Sequence, residues 1–256
     1  MTENELTISR ALDKMRECND KYVITHTAFL DLAQKSTVEA AAKKSGAGYE
    51  FFGGYGDCER TVCVFLPDYI DSAARYFSEN PDESPLALLV CGLPKDAPAL
   101  THRDYLGSLM GAGIKRETVG DIIVFDGGAD IIILREIGEY LTSNLDRIGR
   151  VSVRPTVREL SELHVPRQSA ETMRGSVASM RLDGVVAEIF RMSREKTAEA
   201  ITSGLVFVND EQILKVDHRV PQGAKVVLRG HGKAVIRDAD GKTRSGRTAL
   251  IYDRYV

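Results

Sequence analysis

The sequence predicts an α+β protein composed of three small domains. Its 256 residues are more than one small hydrophobic core requires and suit two or three modest domains. Helix-period and strand-period apolar patterns alternate along the chain, which indicates mixed α and β structure. Turn-forming residues interrupt these patterns at residues 79–85 and 164–173, so we predict domains at residues 1–80, 81–163 and 174–256.

The first predicted domain contains two helices followed by two strands. Leu12 and Met15 share one face of the first helix, and Gly46 ends a second helix that runs through AFLDLAQKSTVEAAAKKS. The strands lie in YEFFGGYGDCER and TVCVFLP. The glycine-rich bend between them lacks the Gly-Lys-Ser/Thr ending of a phosphate loop and the glycine spacing of a dinucleotide site. We therefore interpret it as a turn.

The second predicted domain has the element order β-α-β-β-α-β, which is the ferredoxin-like or split βαβ arrangement. Its strands are LALLVCGL, DIIVF, DIIIL and RVSVRPTV, and its helices are HRDYLGSLMGAG and REIGEYLTSNLDRIG. Thr101 and Asp104 are three residues apart and predict a capping box at the start of the first helix. Many RNA-binding modules and many enzymes share this arrangement, so it predicts no function by itself.

The central strands of this domain lack the side chains that RNA-recognition modules use. Such modules stack bases on aromatic residues of two central strands. Here those strands are LALLVCGL and DIIIL, which contain no aromatic residue. If the domain contacts RNA, it does so elsewhere, and Lys115 and Arg116 are the nearest candidates.

The composition is that of an ordinary soluble globular protein, with 43% apolar and 28% charged residues. No apolar run approaches the ~20 residues needed to cross a bilayer, and the N-terminus has no signal-peptide pattern. We expect a cytoplasmic protein that does not contact membranes. The four cysteines, Cys18, Cys58, Cys63 and Cys91, form no Cys-x-x-Cys pair and are expected to be buried, reduced thiols.

The net charge of −3 is unevenly distributed along the chain. Residues 172–256 contain 15 Lys and Arg against 10 Asp and Glu, whereas residues 1–171 contain 19 against 27. A basic C-terminal third on an acidic body indicates one face suited to a polyanion.

We find no pattern typical of catalysis, of a metal site or of a cofactor site. The HRD triplet at residues 102–104 lacks the rest of a kinase catalytic loop, and a helix start explains it better. The five histidines are scattered, so their spacing indicates neither a metal site nor a catalytic triad. The sequence therefore predicts a non-catalytic protein that requires no cofactor and no metal.

The C-terminal domain contains a predicted pair of helices whose starts are basic. RLDGVVAEIF predicts the first, with Asp183 suited to cap it, and Ser193 is expected to cap a second that ends at Gly204. LVFVN and KVVLRGHGKAVI then add strands. Because helix starts attract anions, basic side chains and backbone N–H groups are expected to converge there on phosphate.

We predict that eight residues of this domain bind RNA. They are polar or basic and lie at the helix starts, in turns or beside glycines: Arg181, Ser193, Arg194, Lys196, Asn209, Lys215, Arg229 and Lys233. The alternative is a solvated basic surface on an ordinary α+β domain, and each residue taken singly favours that alternative.

The order and spacing of these motifs resemble the RNA-binding domain of ribosomal protein S4. The matching blocks are Arg181-Leu182-Asp183, Ser193-Arg194, Gly204-x-Val206-x-Val208-Asn209 and Lys225-Val226. The sequence departs from that pattern at two turn positions, Asp210, where the family usually has Gly, and Ala224, where it usually has Asp. The domain recurs in pseudouridine synthases, tyrosyl-tRNA synthetases and ribosome quality-control factors.

Three further blocks, GGYGDCER, THRDYLGSLMGAGIKRETVGDI and GKTRSGR, resemble the bacterial YlmH family, so the resemblance extends nearly end to end. It implies an RNA-binding middle domain and a C-terminal S4-type domain. It also implies a cytoplasmic protein, expected to be a monomer when free, that binds structured rRNA and tRNA. Family members are linked to the large ribosomal subunit and to peptidyl-tRNA in rescue of stalled nascent chains.

Two other functions stay open. One is an RNA-modifying enzyme, because S4-type domains also occur in pseudouridine synthases. The other is a cell-division scaffold that binds protein through the acidic N-terminal portion, since YlmH genes lie near cell-division genes.

Overall fold

The computed structural model describes residues 3–56, 58–164, 170–209, 211–239, 241–243 and 246–255. The chain divides into two compact units, residues 1–166 and 167–256. Both units contain helices and antiparallel strands, which confirms the predicted α+β class. The finer division into three domains remains a prediction.

The helices and strands of the first unit alternate along its length. The helices are α1 (Glu3–Lys21), α2 (Leu32–Ser45), α3 (Ala73–Glu79), α4 (His102–Gly111) and α5 (Gly138–Asn144). The strands are β1 (Thr25–His26), β2 (Gly48–Phe52), β3 (Val62–Leu66), β4 (Leu86–Gly92), β5 (Val119–Phe125), β6 (Gly128–Leu134), β7 (Arg147–Ile148), β8 (Val151–Ser152) and β9 (Thr156–Arg158).

The N-terminal part of this unit has the predicted helices and strands. Helix α2 ends at Gly46, whose φ of 72° is the left-handed conformation that glycine adopts without strain. Strands β1, β3 and β2 form an antiparallel sheet in that order. Helix α3 was not predicted, since seven residues are too few for helical periodicity to stand out.

The middle part has the predicted order of elements. Its sheet runs β5-β6-β4-β9, with every neighbouring pair antiparallel, so the first and third of its four strands lie at the centre. The capping box is confirmed, since Asp104 accepts hydrogen bonds from the backbone N–H and the hydroxyl of Thr101, both at 2.7 Å.

The predicted boundaries of one helix and one strand in the middle part are wrong. Helix α5 stops at Asn144, and Ile148 belongs to a β7–β8 hairpin whose turn contains Gly149 at φ 58°. Spacing of three to four apolar residues fits a buried hairpin as well as a helix, which explains the error. The strand predicted over RVSVRPTV is split into β8 and β9, because Pro155 has no N–H to donate to a sheet.

Both faces of this central sheet are covered. Leu89, Ile131 and Ile133 pack against α4 and α5 on one face. Leu88 and Ile132, on the other face, share a core with alternate residues of β3 and with residues 29, 73 and 77 of the N-terminal part. Residues on either side of position 80 therefore share one hydrophobic core.

The glycine-rich bend between β2 and β3 is held by the side chain of Asp121. Its carboxylate accepts hydrogen bonds from the Tyr55 hydroxyl at 2.7 Å and from the backbone N–H groups of Glu59 and Arg60 at 2.8 and 3.0 Å. The Arg60 guanidinium donates to the Phe29 carbonyl at 3.1 Å. Burial, and secondly the Asp121 carboxylate, raise the pKa of Tyr55. These contacts give the bend a structural role (its Asp57 lies outside the described residues).

The second unit is a six-stranded antiparallel sheet with two helices. The helices are α6 (Leu182–Phe190) and α7 (Arg194–Thr202). The strands are β10 (Ala170–Val177), β11 (Val206–Val208), β12 (Glu211–Gln212), β13 (Lys225–Leu228), β14 (Gly232–Asp238) and β15 (Thr248–Tyr255). Their order in the sheet is β10-β15-β14-β13-β11-β12. Val186, Ile189 and Ile201 of the helices pack in one core with Val226 and Ile236 of the sheet.

One prediction for the start of this unit is wrong. The linker predicted over residues 164–173 includes residues 170–173, which form the first half of β10 and pair with β15. Residues 165–169 of that linker lie outside the described part of the chain. Polar side chains such as Glu171 and Thr172 suggested a linker. They lie instead on a strand at the edge of the sheet, where polar side chains are common.

Candidate nucleic-acid interface

The start of helix α7 is the predicted anion site whose donors remain available. Ser193 caps the helix as predicted, and its Oγ accepts a hydrogen bond from the Lys196 backbone N–H at 3.3 Å. Within the described residues, no hydrogen-bond partner lies at the backbone N–H groups of Arg194 and Glu195. The Arg194 side chain is exposed at the same point. Two backbone N–H groups and an exposed arginine therefore lie together at the start of α7.

Two features limit this site. Glu195 places a carboxylate in the first turn of α7, where it competes with a bound anion for the positive end of the helix. The Lys196 side chain is exposed but lies two positions from Arg194, and such residues do not face each other on a helix. Arg194 is the residue best placed to hold a phosphate together with the N–H groups.

The start of helix α6 is closed, in contrast to the prediction. Its cap is Arg181 and not Asp183, which lies inside the first turn. The backbone N–H groups of Leu182 and Asp183 donate to the carbonyls of His218 and Val216 at 2.8 and 3.1 Å. The loop that follows β12 therefore occupies the donors that were expected to bind phosphate.

Arg181 and Arg194 both lie near enough to Asp183 to act on the charge of its carboxylate. The Arg181 guanidinium donates two hydrogen bonds to Asp183, from Nε and from Nη2, both at 3.1 Å. These bonds, and more weakly the charge of Arg194, lower the pKa of Asp183. The structure thus brings the two predicted arginines together. The Arg181 guanidinium, however, already donates its two parallel hydrogen bonds to Asp183.

Lys215 lies in the loop that closes α6. Its Nζ is 3.8 Å from an Asp217 carboxylate oxygen, and 78% of its side chain is exposed. A surface pair at that distance contributes little, so Lys215 remains available to a ligand. Five of the eight predicted residues therefore belong to the two helix starts and the adjacent loop: Arg181, Ser193, Arg194, Lys196 and Lys215.

Asn209 has a structural role in the turn after β11. Its φ of 50° is left-handed, and its Oδ1 accepts a hydrogen bond from the Lys225 backbone N–H at 2.9 Å. Its own N–H donates to the Lys225 carbonyl at 2.9 Å. The asparagine of the predicted motif thus joins β11 to β13.

The sequence departs from the S4 pattern at two turn positions. Of these, Ala224 is buried and Asp210 lies outside the described residues.

Arg229 and Lys233 lie on the other face of the sheet. Val226 and Leu228 point into the core under the helices, and side chains alternate along a strand. Val227 and its cross-strand partner Lys233 therefore point away from the helices. Arg229 lies over the Phe207 ring at 5.2 Å and Lys233 over the Tyr255 ring at 4.9 Å. These two residues do not share a face with the start of α7.

The middle part does not offer its sheet to RNA. The face that stacks bases in RNA-recognition modules is buried here under residues 29, 62, 64, 66, 73 and 77. Arg116, one of the two predicted contacts, directs its Nη1 to the carbonyls of Val119 and Gly120 at 2.5 and 3.3 Å, and burial lowers its pKa. Its neighbour Lys115 is exposed.

Sequence reasoning missed three exposed arginines of the middle part, Arg147, Arg150 and Arg154. They were assigned to the end of a helix and to a strand. Their signal was the alternation of basic and apolar residues in RIGRVSVR around Gly149, which is typical of a hairpin with one buried and one exposed side.

The cysteines are reduced thiols, and all but the half-buried Cys58 are buried. Burial raises the pKa of the Cys63 and Cys91 thiols to about 12. In the described residues, no group of three His, Cys, Asp or Glu side chains could hold a metal ion. No helix in that part of the chain is long and apolar enough to span a membrane.

Comparison with known proteins finds a family that matches part of the chain and a similar protein that matches most of it. Residues 81–162 match the family described as "Putative RNA-binding domain in YlmH". The ribosome-associated protein quality control protein P2 of Bacillus subtilis (strain 168) is 28% identical over 249 residues, which cover 96% of this chain and 93% of that protein. These findings confirm the resemblance to YlmH proteins, whereas the S4-type domain remains a prediction.

One solved structure aligns more weakly. The cell division protein ylmH from Streptococcus pneumoniae is 23% identical and superposes with a TM-score of 0.49. The alignment covers 63% of this chain and 94% of that one.

Proposed function

Because residues 81–162 of this chain belong to the YlmH RNA-binding domain family, we propose that the protein binds structured RNA on the ribosome without catalysing a reaction. The observation that supports this most is the family match, together with a relative of nearly equal length that is named a ribosome-associated quality control protein. We further propose that the site is on the large subunit and that binding serves the rescue of stalled nascent chains.

The start of α7 supplies the proposed RNA contact of the second unit. Arg194 and two free backbone N–H groups present fixed donors to a phosphate. A-form RNA hides its base edges in a deep groove, so such donors recognise backbone shape and 2′-hydroxyls more than sequence. This is the mode we propose for an S4-type domain formed by residues 174–256.

The proposal includes the state of the free protein. It is a cytoplasmic monomer that needs neither cofactor nor metal, and its partners are rRNA and tRNA. No membrane takes part.

Sedimentation with separated ribosomal subunits tests the proposal. We expect the purified protein to sediment with large subunits and not with small ones, and more strongly when the large subunit carries peptidyl-tRNA. Crosslinking followed by sequencing of the bound RNA should then yield rRNA of the large subunit and tRNA. Equal binding to both subunits, or no preference for peptidyl-tRNA, would contradict the finer part of the proposal.

Salt dependence tests whether phosphate contacts dominate. If the protein neutralises Z phosphates, the logarithm of affinity falls with the logarithm of salt concentration with a slope of roughly −0.7Z to −0.9Z. The excess of basic residues in 172–256 motivates this expectation. A flat response between about 50 and 200 mM salt would rule out binding through phosphates.

The same preparations separate the two other functions. A new modified nucleoside in RNA incubated with the protein, detected by mass spectrometry, would support an RNA-modifying enzyme. Recovery of cell-division proteins without RNA would support a scaffold. We expect neither.

A further inference from the structure

Most of the arginines of residues 81–162 fall into two groups. Those of the first group donate hydrogen bonds to other groups of the chain, and those of the second are exposed to solvent. Arg135 donates to both carboxylate oxygens of Glu159, at 3.3 and 2.9 Å, and also to the Ser84 carbonyl. Arg158 pairs with Glu162 at 2.8 Å. Arg116, as described above, donates to carbonyls of its own chain. The Arg116 and Arg135 guanidinium groups are thus held by several groups of the fold, whereas Arg158 is in an exposed surface pair with one carboxylate.

Three other arginines lie close together in sequence, two in one short hairpin and the third just after it. We call residues 146–155 the arginine ribbon; it contains β7, β8 and the residues that lead into β9. Arg147, Arg150 and Arg154 are exposed, and within the described residues none of the three side chains has a hydrogen bond or an ion pair. The ribbon contains one acidic residue, Asp146.

The backbone of the ribbon is fixed. Ile148 and Val153 are buried in the core formed with α4 and α5. The Gly149 N–H donates to the Ser108 hydroxyl of α4 at 2.9 Å, and the Val153 N–H donates to the Asp146 carbonyl at 2.9 Å. A two-residue turn with glycine first and at positive φ matches the twist of the two strands. The backbone therefore holds the Cα atoms of the arginines in defined positions.

The alternation of side chains places the arginines on the exposed side of the ribbon. Arg147 is paired across the hairpin with Ser152, and Arg154 follows Ser152 by two positions on the same side. Arg150 lies in the turn. Arg150 and Arg154 are four residues apart, which is about 13 Å at the ~3.3 Å rise of an extended chain. This distance is long enough to contact more than one phosphate of a strand.

A groove lies beside the last of these arginines. It has a volume of about 360 Å³ and is lined by Gly92, Leu93, Pro94, Ser152, Val153 and Arg154. Lys95 is exposed and directly follows Pro94. The groove therefore has one cationic side chain in its lining, that of Arg154, and Lys95 follows its lining residue Pro94 in sequence.

We propose that the arginine ribbon is the surface through which residues 81–162 bind RNA, by contacts of its guanidinium groups with the phosphate backbone. This inference rests on the proposed function, because it takes RNA as the ligand. The sheet face used by RNA-recognition modules is buried, whereas the ribbon is exposed, rigid and basic. Arginine suits phosphate because its planar guanidinium donates two parallel hydrogen bonds.

The test compares two triple variants of the full chain that lose the same charge. The first is Arg147→Gln with Arg150→Gln and Arg154→Gln. The control is Arg16→Gln with Arg75→Gln and Arg158→Gln, which removes three arginines held in exposed pairs with carboxylates. Binding to purified large ribosomal subunits and to a fluorescein-labelled RNA hairpin is measured over a range of salt, and circular dichroism checks the fold of each variant.

We expect the ribbon variant to bind at least about tenfold more weakly than the wild type and the control to bind nearly as well as the wild type. Loss of three phosphate contacts should also reduce the magnitude of the salt slope by about 2 to 3. Ultraviolet crosslinking of the wild type to the hairpin should yield RNA-linked peptides from residues 146–155. This last measurement needs no variant and so holds even if the ribbon variant fails to fold.

The possible outcomes separate the ribbon from the proposed function. If the wild type binds with a steep salt slope but the ribbon variant matches it, the ribbon is not the RNA surface, although the proposed function stands. An equal loss in both triple variants would show only an effect of net charge and would overturn the assignment. If the wild type binds neither probe, both proposals are wrong.

Discussion

Alanine substitutions of Arg181 and Arg194 remove the same charge from the neighbourhood of one carboxylate, that of Asp183, yet we expect very different effects on RNA binding. Both arginines act electrostatically on Asp183. The Arg181 guanidinium is held by two hydrogen bonds to that carboxylate, whereas Arg194 lies beside the free N–H groups at the start of α7. Comparing the two variants therefore tests whether RNA affinity depends on a guanidinium group that is available to a phosphate or only on positive charge.

The expected magnitudes follow from these contacts. A hydrogen bond between charged groups contributes about 1.5–3 kcal/mol, so Arg194→Ala should weaken binding roughly ten- to hundredfold. Arg194→Lys keeps the charge but loses the planar fork, so its effect should be smaller and still measurable. Arg181→Ala removes a charge already neutralised by Asp183, and salt screens what remains beyond about 8 Å. Its effect should stay below about threefold, which is under 1 kcal/mol.

The assay is equilibrium binding of each variant to large ribosomal subunits by sedimentation. Thermal unfolding serves as the control for folding, and Arg194→Ala should leave it unchanged because an exposed side chain at a helix start contributes little to a core. Glu195→Gln gives a check of opposite sign. Removing this carboxylate from the first turn of α7 should strengthen binding about two- to fivefold. The reasoning is refuted if Arg181→Ala weakens binding as much as Arg194→Ala does.

Three further predictions concern stability. Asp121→Ala removes the acceptor of three hydrogen bonds that hold the glycine-rich bend, so urea unfolding should show a loss of about 2–4 kcal/mol, against almost none for the exposed Asp96→Ala. Gly204→Ala forces a left-handed residue (φ 73°) and places Cβ 2.5 Å from Gln212, so it should destabilise by about 1–2 kcal/mol. Gly107→Ala, in α4 with open space around the added methyl group, should instead stabilise by about 0.5–1 kcal/mol, and the wrong sign for either would contradict this account. The Thr172 hydroxyl, and secondly Arg237, hold the pKa of Asp253 below its usual range, so this carboxylate stabilises the fold above about pH 4 and the stabilisation is lost as the pH falls further. Urea unfolding as a function of pH should show a smaller acid loss for Asp253→Asn than for the wild type.

The sequence by itself determined the local elements. The capping residues Ser193 and Thr101, the helix ends at Gly46 and Gly204, and the order of strands and helices in the middle part were readable because each depends on neighbours a few residues away. The excess of basic residues after position 172 was readable for the same reason. Short apolar spacings near Ile148 and polar alternation near Thr172 were misread, because a few residues fit more than one period.

Only the tertiary structure decided which basic groups are available to a ligand. The donors at the start of α6 are occupied by carbonyls of His218 and Val216, which are more than thirty residues away in sequence. The middle sheet is covered by the N-terminal part, so its lack of aromatic residues matters less than its burial. Arg116 is engaged by its own chain, whereas Arg147 and Arg154 are exposed and, within the described residues, have no hydrogen bond or ion pair from their side chains. Residue type determines the charge of a side chain, but whether that charge meets a ligand depends on which distant groups already accept its hydrogen bonds.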